Sequence, residues 1–182
     1  LDRALGGETA LQLAQLASTP VLAVPDTVTT IPRNVVAAID FSPTSVASAH
    51  TCARWLVEGD TLTLVHAARS AHEPLPLTDR VSLESMLEAI AGRIGVAEGV
   101  TVNQSVVEGD PAPQLLSIAK STAADLIVLG SHGFGLWKRL TIGSVASKLL
   151  RLSAVSVLVT PIGSLASEGA PARESATRAA SA

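Results

Sequence analysis

From residue 34 onward, short apolar runs alternate with stretches whose apolar residues recur every three or four positions. "NVVAAI" (34–39), "TLTLVHA" (61–67), "DLIVLG" (125–130) and "VSVLVTP" (155–161) are compact apolar runs of strand length. Such runs are expected of strands buried on both faces. "VTVNQSVVEG" (100–109) alternates apolar and polar positions, which predicts a strand near a sheet edge. Helical spacing lies between them, at 42–59, about 79–92, 110–123 and 144–152. Ser42 is placed to cap the first of these helices, with Pro43 at its first position and Gly59 as its stop. Val46, Ala49, Ala53, Leu56 and Val57 form its inward stripe, and Leu115, Leu116 and Ala119 that of the third. The order βαβαβαβαβ predicts a parallel sheet with right-handed crossovers and helices on both faces. Ligands of such sheets bind beyond the C-terminal strand ends, where strand order reverses. That directs attention to the loops after the first and fourth strands.

Part of the pattern occurs twice. "GETALQLAQLASTPVLAVP" (7–25) aligns without gaps with "GSVASKLLRLSAVSVLVTP" (143–161). Gly7 falls on Gly143, Ala10 on Ala146, Leu13 on Leu149, Leu16 on Leu152, Leu22 on Leu158 and Pro25 on Pro161. Both segments read as helix, short turn and strand, the signature of an internal repeat. Residues 1–25 are therefore read as the last helix and strand of a preceding copy, and 26–33 as a linker. Residues 34–161 form the complete domain. The Ala/Ser/Gly-rich segment 162–182 has no apolar stripe and is expected to be disordered. An orphan helix–strand unit needs a sheet to join, so 20–24 is predicted to pair antiparallel with 155–159.

Composition narrows the function classes. A net charge of -3 leaves no electrostatic footprint for nucleic acid or an anionic membrane. No apolar run approaches the length of a membrane span, and no basic-then-apolar leader is visible at residue 1. A cytoplasmic location is the expectation. The lone cysteine, Cys52, falls on a helix stripe and reads as a small buried hydrophobe.

"GSHGFGLWKRLTIGS" (130–144) is the stretch with chemistry in it. It joins the fourth strand to a helix at the ligand-binding end of the sheet. Glycines permit close backbone approach, and successive N–H groups can form an anion nest. Gly143, Ser144 and Val145 open a helix whose amides and dipole attract phosphate. The Ser144 hydroxyl is a further donor, and Lys138 and Arg139 add charge if the loop folds back. The dinucleotide fingerprint GxGxxG should follow the first strand and does not occur there, and no GxxxxGK[ST] string exists.

Gly130, Gly133, Gly143 and Ser144 stand in the spacing G-2x-G-9x-G-[S/T]; with "NVVAAIDFSPTS", "LTLVHA", "ADLIVLGSHG" and "SVLVTP", this resembles the ATP-binding universal stress protein family over about 33–161. The resemblance implies an open five-stranded parallel sheet in the order 3-2-1-4-5. It implies ATP with Mg2+ held across the ends of strands one and four. No positioned general base or activated nucleophile is evident in the sequence, so little or no hydrolysis is expected. Ala38 and Asp40 would stand near adenine, ribose and metal, and the Ala67 backbone at the adenine edge. Gly130, Ser131, His132, Gly133, Phe134, Gly135 and Leu136 would wrap the ribose and phosphates. Gly143, Ser144, Val145 and Ala146 would hold the phosphates. It also implies pairing through the fifth strands, as a homodimer or within one chain. In the N-terminal copy Glu8 replaces Ser144, an anion where a phosphate oxygen would sit, so the site is assigned to the complete domain alone.

Taken singly, Asp40 reads as a turn aspartate; with the glycine loop opposite, it becomes a ribose or Mg2+ ligand. His132 reads as a loop histidine without a catalytic partner, His66 as structural, Trp55 as helix core, and Trp137 as packing over the site or against a partner. Two alternatives stay open. One is a dimeric stress protein that binds no nucleotide. The other is an adenylyl-transfer enzyme of similar fold, although its HxGH or SGGxDS signature is absent after the first strand.

Overall fold

The structure is a computed structural model and describes residues 2–68, 74–132 and 142–161. Gly133 to Leu136, Trp137, Lys138, Arg139 and the tail 162–182 lie outside the described residues. Among the described residues eleven elements follow one another: α1 (Asp2–Leu16), β1 (Val21–Ala23), β2 (Asn34–Ala38), α2 (Pro43–Ala53), β3 (Thr61–Ala68), α3 (Leu77–Ile94), β4 (Thr101–Glu108), α4 (Pro111–Ser121), β5 (Leu126–Gly130), α5 (Ser144–Leu152) and β6 (Ser156–Thr160). The strands form one sheet in the order β1-β6-β5-β2-β3-β4. β2 to β6 are mutually parallel, and β1 adds to the β6 edge antiparallel.

Buried Val, Leu and Ile on alternate positions feed two cores, one on each face. Val35, Leu62, Leu64, Leu126 and Val128 pack under α2 and α3, with Cys52 and Leu87 completely covered. Val36, Val65, Ile127, Leu129 and Val157 pack under α4, α5 and α1. β4 is the outer strand, as its pattern predicts, with Thr101, Asn103 and Gln104 exposed and Val106 buried.

The pairing of β1 with β6 is the predicted one, and its register is informative. Leu22 faces Leu158, Val21 faces Val159 and Ala23 faces Val157. The repeat equates 21 with 157 and 23 with 159, so the two flanking pairs exchange. A local two-fold therefore passes between Leu22 and Leu158. This is the geometry of an isologous contact between two copies.

Two expectations are corrected. The first helix of the domain ends at Ala53, five residues short of the expected Gly59 stop. Trp55 and Leu56 donate to the carbonyls of Cys52 and Ala53 as the chain tightens into a turn. The Asp60 carboxylate then accepts the Val57 amide, and Gly59 takes a φ of +86° to enter β3. Helical spacing no longer governs these positions, so Trp55 and Val57 are exposed while Leu56 stays buried. The second correction concerns Gly7 and Glu8. They lie inside α1 rather than at its start. Gly7 is buried against the last turn of α5, and Glu8 pairs with Arg151 at 2.8 Å. Glu8 is a contact between helices.

Candidate functional site

Beyond the C-terminal ends of β2, β3 and β5, on the face carrying α4 and α5, lies a cleft of about 500 Å³. Ala38, Asp40, Ala67, Gly130, Ser131, His132, Gly143, Ser144, Val145 and Ala146 all line it. Every predicted site residue that is described thus comes to one place. Gly133, Phe134, Gly135 and Leu136 lie outside the described residues.

The β5–α5 loop is closed at its neck. Gly143 donates to the Ser131 carbonyl at 2.7 Å, and Ser131 donates to the Thr160 carbonyl at 2.8 Å. Gly143 caps α5 with extended backbone and no side chain. The first-turn amides of a helix have no intrahelical acceptors, and the first-turn residues Ser144, Val145 and Ala146 line the cleft. Both neck glycines stand where an added Cβ would be crowded. A Cβ on Gly143 would meet the Ser131 carbonyl oxygen at 3.2 Å. One on Gly130 would meet Thr44 Oγ1 at 2.9 Å and Thr44 Cβ at 3.0 Å.

The opposite wall is the turn after β2. Asp40 Oδ1 accepts the Ser42 amide at 3.0 Å, so the turn role of Asp40 is real, and Asp40 also lines the cleft. Phe41 is forced to a φ of +64° by this turn. Its ring packs 4.6 Å from that of His66. His66 Nδ1 stands 2.7 Å from the Ile39 carbonyl, an acceptor, which places the Nδ1 proton. His66 is thus structural as expected, and also part of the cleft wall. Thr44 ties the two walls, since its hydroxyl donates to the His132 carbonyl at 3.1 Å.

Ser131 Oγ lies 2.9 Å from His132 Nδ1, a partner that spacing alone did not suggest. Ser131 is buried, and among the described residues the other nitrogen of His132 has no hydrogen-bond partner. Pro111 and Leu115 of α4 also line the cleft, where the apolar pattern predicts only an inward-facing Leu115. The signal was present: a proline-led helix following β4 also begins at the ligand end of the sheet. No Lys or Arg is among the lining residues described. Lys148, one turn along α5 from Ser144, is paired with Asp110 at 2.7 Å.

The sequence model of the universal stress protein family matches residues 32–161. The chain belongs to the universal stress protein family. The match covers the whole of the β2–β6 domain. Universal stress protein Rv2005c of Mycobacterium tuberculosis is 32% identical over 170 residues, 87% of this chain and 57% of that protein. The chain spans about half the length of such curated relatives. A putative universal stress protein from Pseudomonas aeruginosa superposes with a TM-score of 0.60 at 18% identity, covering 86% of this chain and 57% of that one. A universal stress protein solved in complex with cAMP gives a TM-score of 0.52 at 19% identity over 72% of this chain and 98% of that one. At these identities the structures speak for the fold. Among the described residues, no helix is long and apolar enough to cross a membrane.

Proposed function

We propose that the chain is a regulatory nucleotide-binding module, with ATP as its ligand and little or no hydrolysis. The observation that carries this is the convergence of the α5 first turn, the Gly130–His132 exit of β5 and Asp40 on one cleft. The nucleotide bound by the cAMP-complexed family member supports the same ligand class. The phosphates would lie against the amides of Ser144, Val145 and Ala146, with the Ser144 hydroxyl as a further donor. Ala38 and the Ala67 backbone would flank the base, and Asp40 would contribute to Mg2+. A single carboxylate fits Mg2+, which keeps several waters and leans on substrate phosphates. When bound, that ion would neutralise phosphate charge, a role that no described lining cation fills. Among the described residues no oriented nucleophile and base face each other, so the module would hold ATP rather than turn it over.

Residues 1–25 are read as part of a second copy of the helix–strand unit. The two-fold between Leu22 and Leu158 supports an intrachain pseudo-dimer contact, with β1 standing where the last strand of a partner subunit would pair. The test of the ligand is mass spectrometry of nucleotide carried through purification, followed by calorimetry with ATP and Mg2+. Ser144→Glu, which places an anion on the first turn of α5, should weaken binding at least tenfold. The absence of ATP affinity in the unaltered chain would overturn the reading.

A further inference from the structure

We infer that α1 is a positioning element for the ligand cleft, so that seating of α1 and occupancy of the cleft are coupled through α5. The inference rests on the anion-binding reading of the α5 N-terminus. α5 has only nine residues, a rod of about 13 Å. One end presents the cleft amides and is tied to β5 by the bond from Gly143 to Ser131. The other end is gripped by α1. A Cβ on Gly7 would lie 3.2 Å from the Leu150 carbonyl oxygen and 3.4 Å from Arg151 Cα, so α1 backbone meets α5 backbone with nothing between. Glu8 adds the ion pair to Arg151. Leu11 and Ala14 of α1 belong to the same core cluster as Val65, Leu115, Leu129 and Ala146, all of which line the cleft. α2 and α3 pack on the other cluster.

The two-state element is α1 itself, seated or released. Its seat is formed by Gly7, Leu11 and Ala14, while Leu13 and Leu16 are exposed and β1 joins it to the sheet edge by three residue pairs. An edge unit held through one short strand opens at a lower free energy than the central strands. Release would free the last turn of α5, and a rigid helix carries that displacement to its first turn. Hydrogen bonds to a phosphate weaken steeply with distance and angle. Coupling of this kind is reciprocal, so ATP should stabilise the seated form by the factor that seating gains for ATP.

Hydrogen exchange on the intact chain, with and without saturating MgATP, tests this directly. Amides of α1 at 11–16 should exchange about fivefold more slowly with nucleotide, the low end of typical couplings. Gly7→Val should weaken ATP binding about fivefold while the circular dichroism spectrum is retained. Leu87→Ala, which opens the core on the opposite face, should lower stability and leave affinity unchanged. ATP binding with unaltered α1 exchange, or unaltered affinity in folded Gly7→Val, overturns the coupling alone. No ATP binding by the unaltered chain overturns the reading of the cleft and the coupling with it.

Discussion

Gly130→Ala tests how closely β5 and α2 approach beneath the cleft. The new Cβ would stand 2.9 Å from Thr44 Oγ1, 3.0 Å from Thr44 Cβ and 3.2 Å from the Thr44 carbonyl carbon. The hydroxyl can rotate away, but Cβ and the backbone carbon cannot. α2 must therefore shift by several tenths of an ångström at its first turn. Overpacking of this kind costs about 1–3 kcal/mol. Rotating the hydroxyl also breaks its bonds to the His132 carbonyl and to Ser42 Oγ, a loss of about 1 kcal/mol. Replacing glycine restrains the unfolded chain and returns about 0.4–1 kcal/mol. The net expectation is a destabilisation of about 2 kcal/mol, or about 4–8 °C in Tm for a chain of 182 residues. Because Thr44 joins the two walls of the cleft, ATP affinity should fall as well. Thermal unfolding by circular dichroism and calorimetry with ATP provide the readouts. Thr44→Ala in the same chain removes the 2.9 Å clash and leaves the 3.0 Å one, so it should rescue stability only in part. A Gly130→Ala protein melting within 1 °C of the unaltered chain would refute the claimed close approach.

Asp60 and Glu108 should govern part of the acid unfolding. The Asp60 carboxyl is held below its ordinary value by the Val57 amide and then by Arg33, against its own burial; Glu108 is held low by the Leu75 amide and then by Arg80. Depressed carboxylates contribute stability above their unfolded value and lose it as pH falls through the folded one, so Asp60→Asn and Glu108→Gln should flatten the loss of stability below about pH 4 in urea titrations. Equal slopes in the variants and the unaltered chain would show that these groups are not involved. Burial pushes the Cys52 thiol up to about 12, so a thiol reagent at pH 8 should label it only at the rate of unfolding. Rapid labelling of the native chain would contradict its burial. Removal of residues 1–25 uncovers the β6 edge, and the shortened chain should self-associate in sedimentation; a monomer at tens of micromolar would count against β1 as an edge cover.

The parallel sheet was legible because its strands are buried on both faces, and a run such as 125–130 has no other economical reading. The cleft was legible for a different reason. Its walls are made by backbone at fixed spacings, and Gly143 and Ser144 mark a helix start regardless of tertiary detail. What escaped the sequence depended on where a chain stops obeying a period. The apolar stripe through Val57 continued in register past the point where the helix had ended. The bonds of Trp55 and Leu56 to Cys52 and Ala53 replaced helical pairing, and the Asp60 side chain captured Val57. Periodicity cannot register such a competition between side chain and helix. Pro111 and Leu115 were missed as cleft residues because their apolar character has a sufficient explanation in packing.

The repeat gave the sharpest positional information and also the clearest misreading. Alignment equated Glu8 with Ser144, and a charge argument then set an anion against phosphate. In the fold, α1 extends N-terminally through Gly7, and Glu8 faces Arg151. The equivalence in sequence is intact, yet the surroundings differ. Leu149 is fully buried while its counterpart Leu13 is 56% exposed, and Leu158 is 1% exposed against 43% for Leu22. The second member of each pair lacks the neighbouring strand and helices that cover the first. A repeat therefore predicts local geometry, here the two-fold at Leu22 and Leu158, better than it predicts a residue's role. Local geometry follows from the segment itself, whereas a role needs the rest of the domain around it. Glu8 and Ser144 share a place in a helix–strand unit, and only Ser144 has β2, β3 and β5 ending beside it to form a cleft.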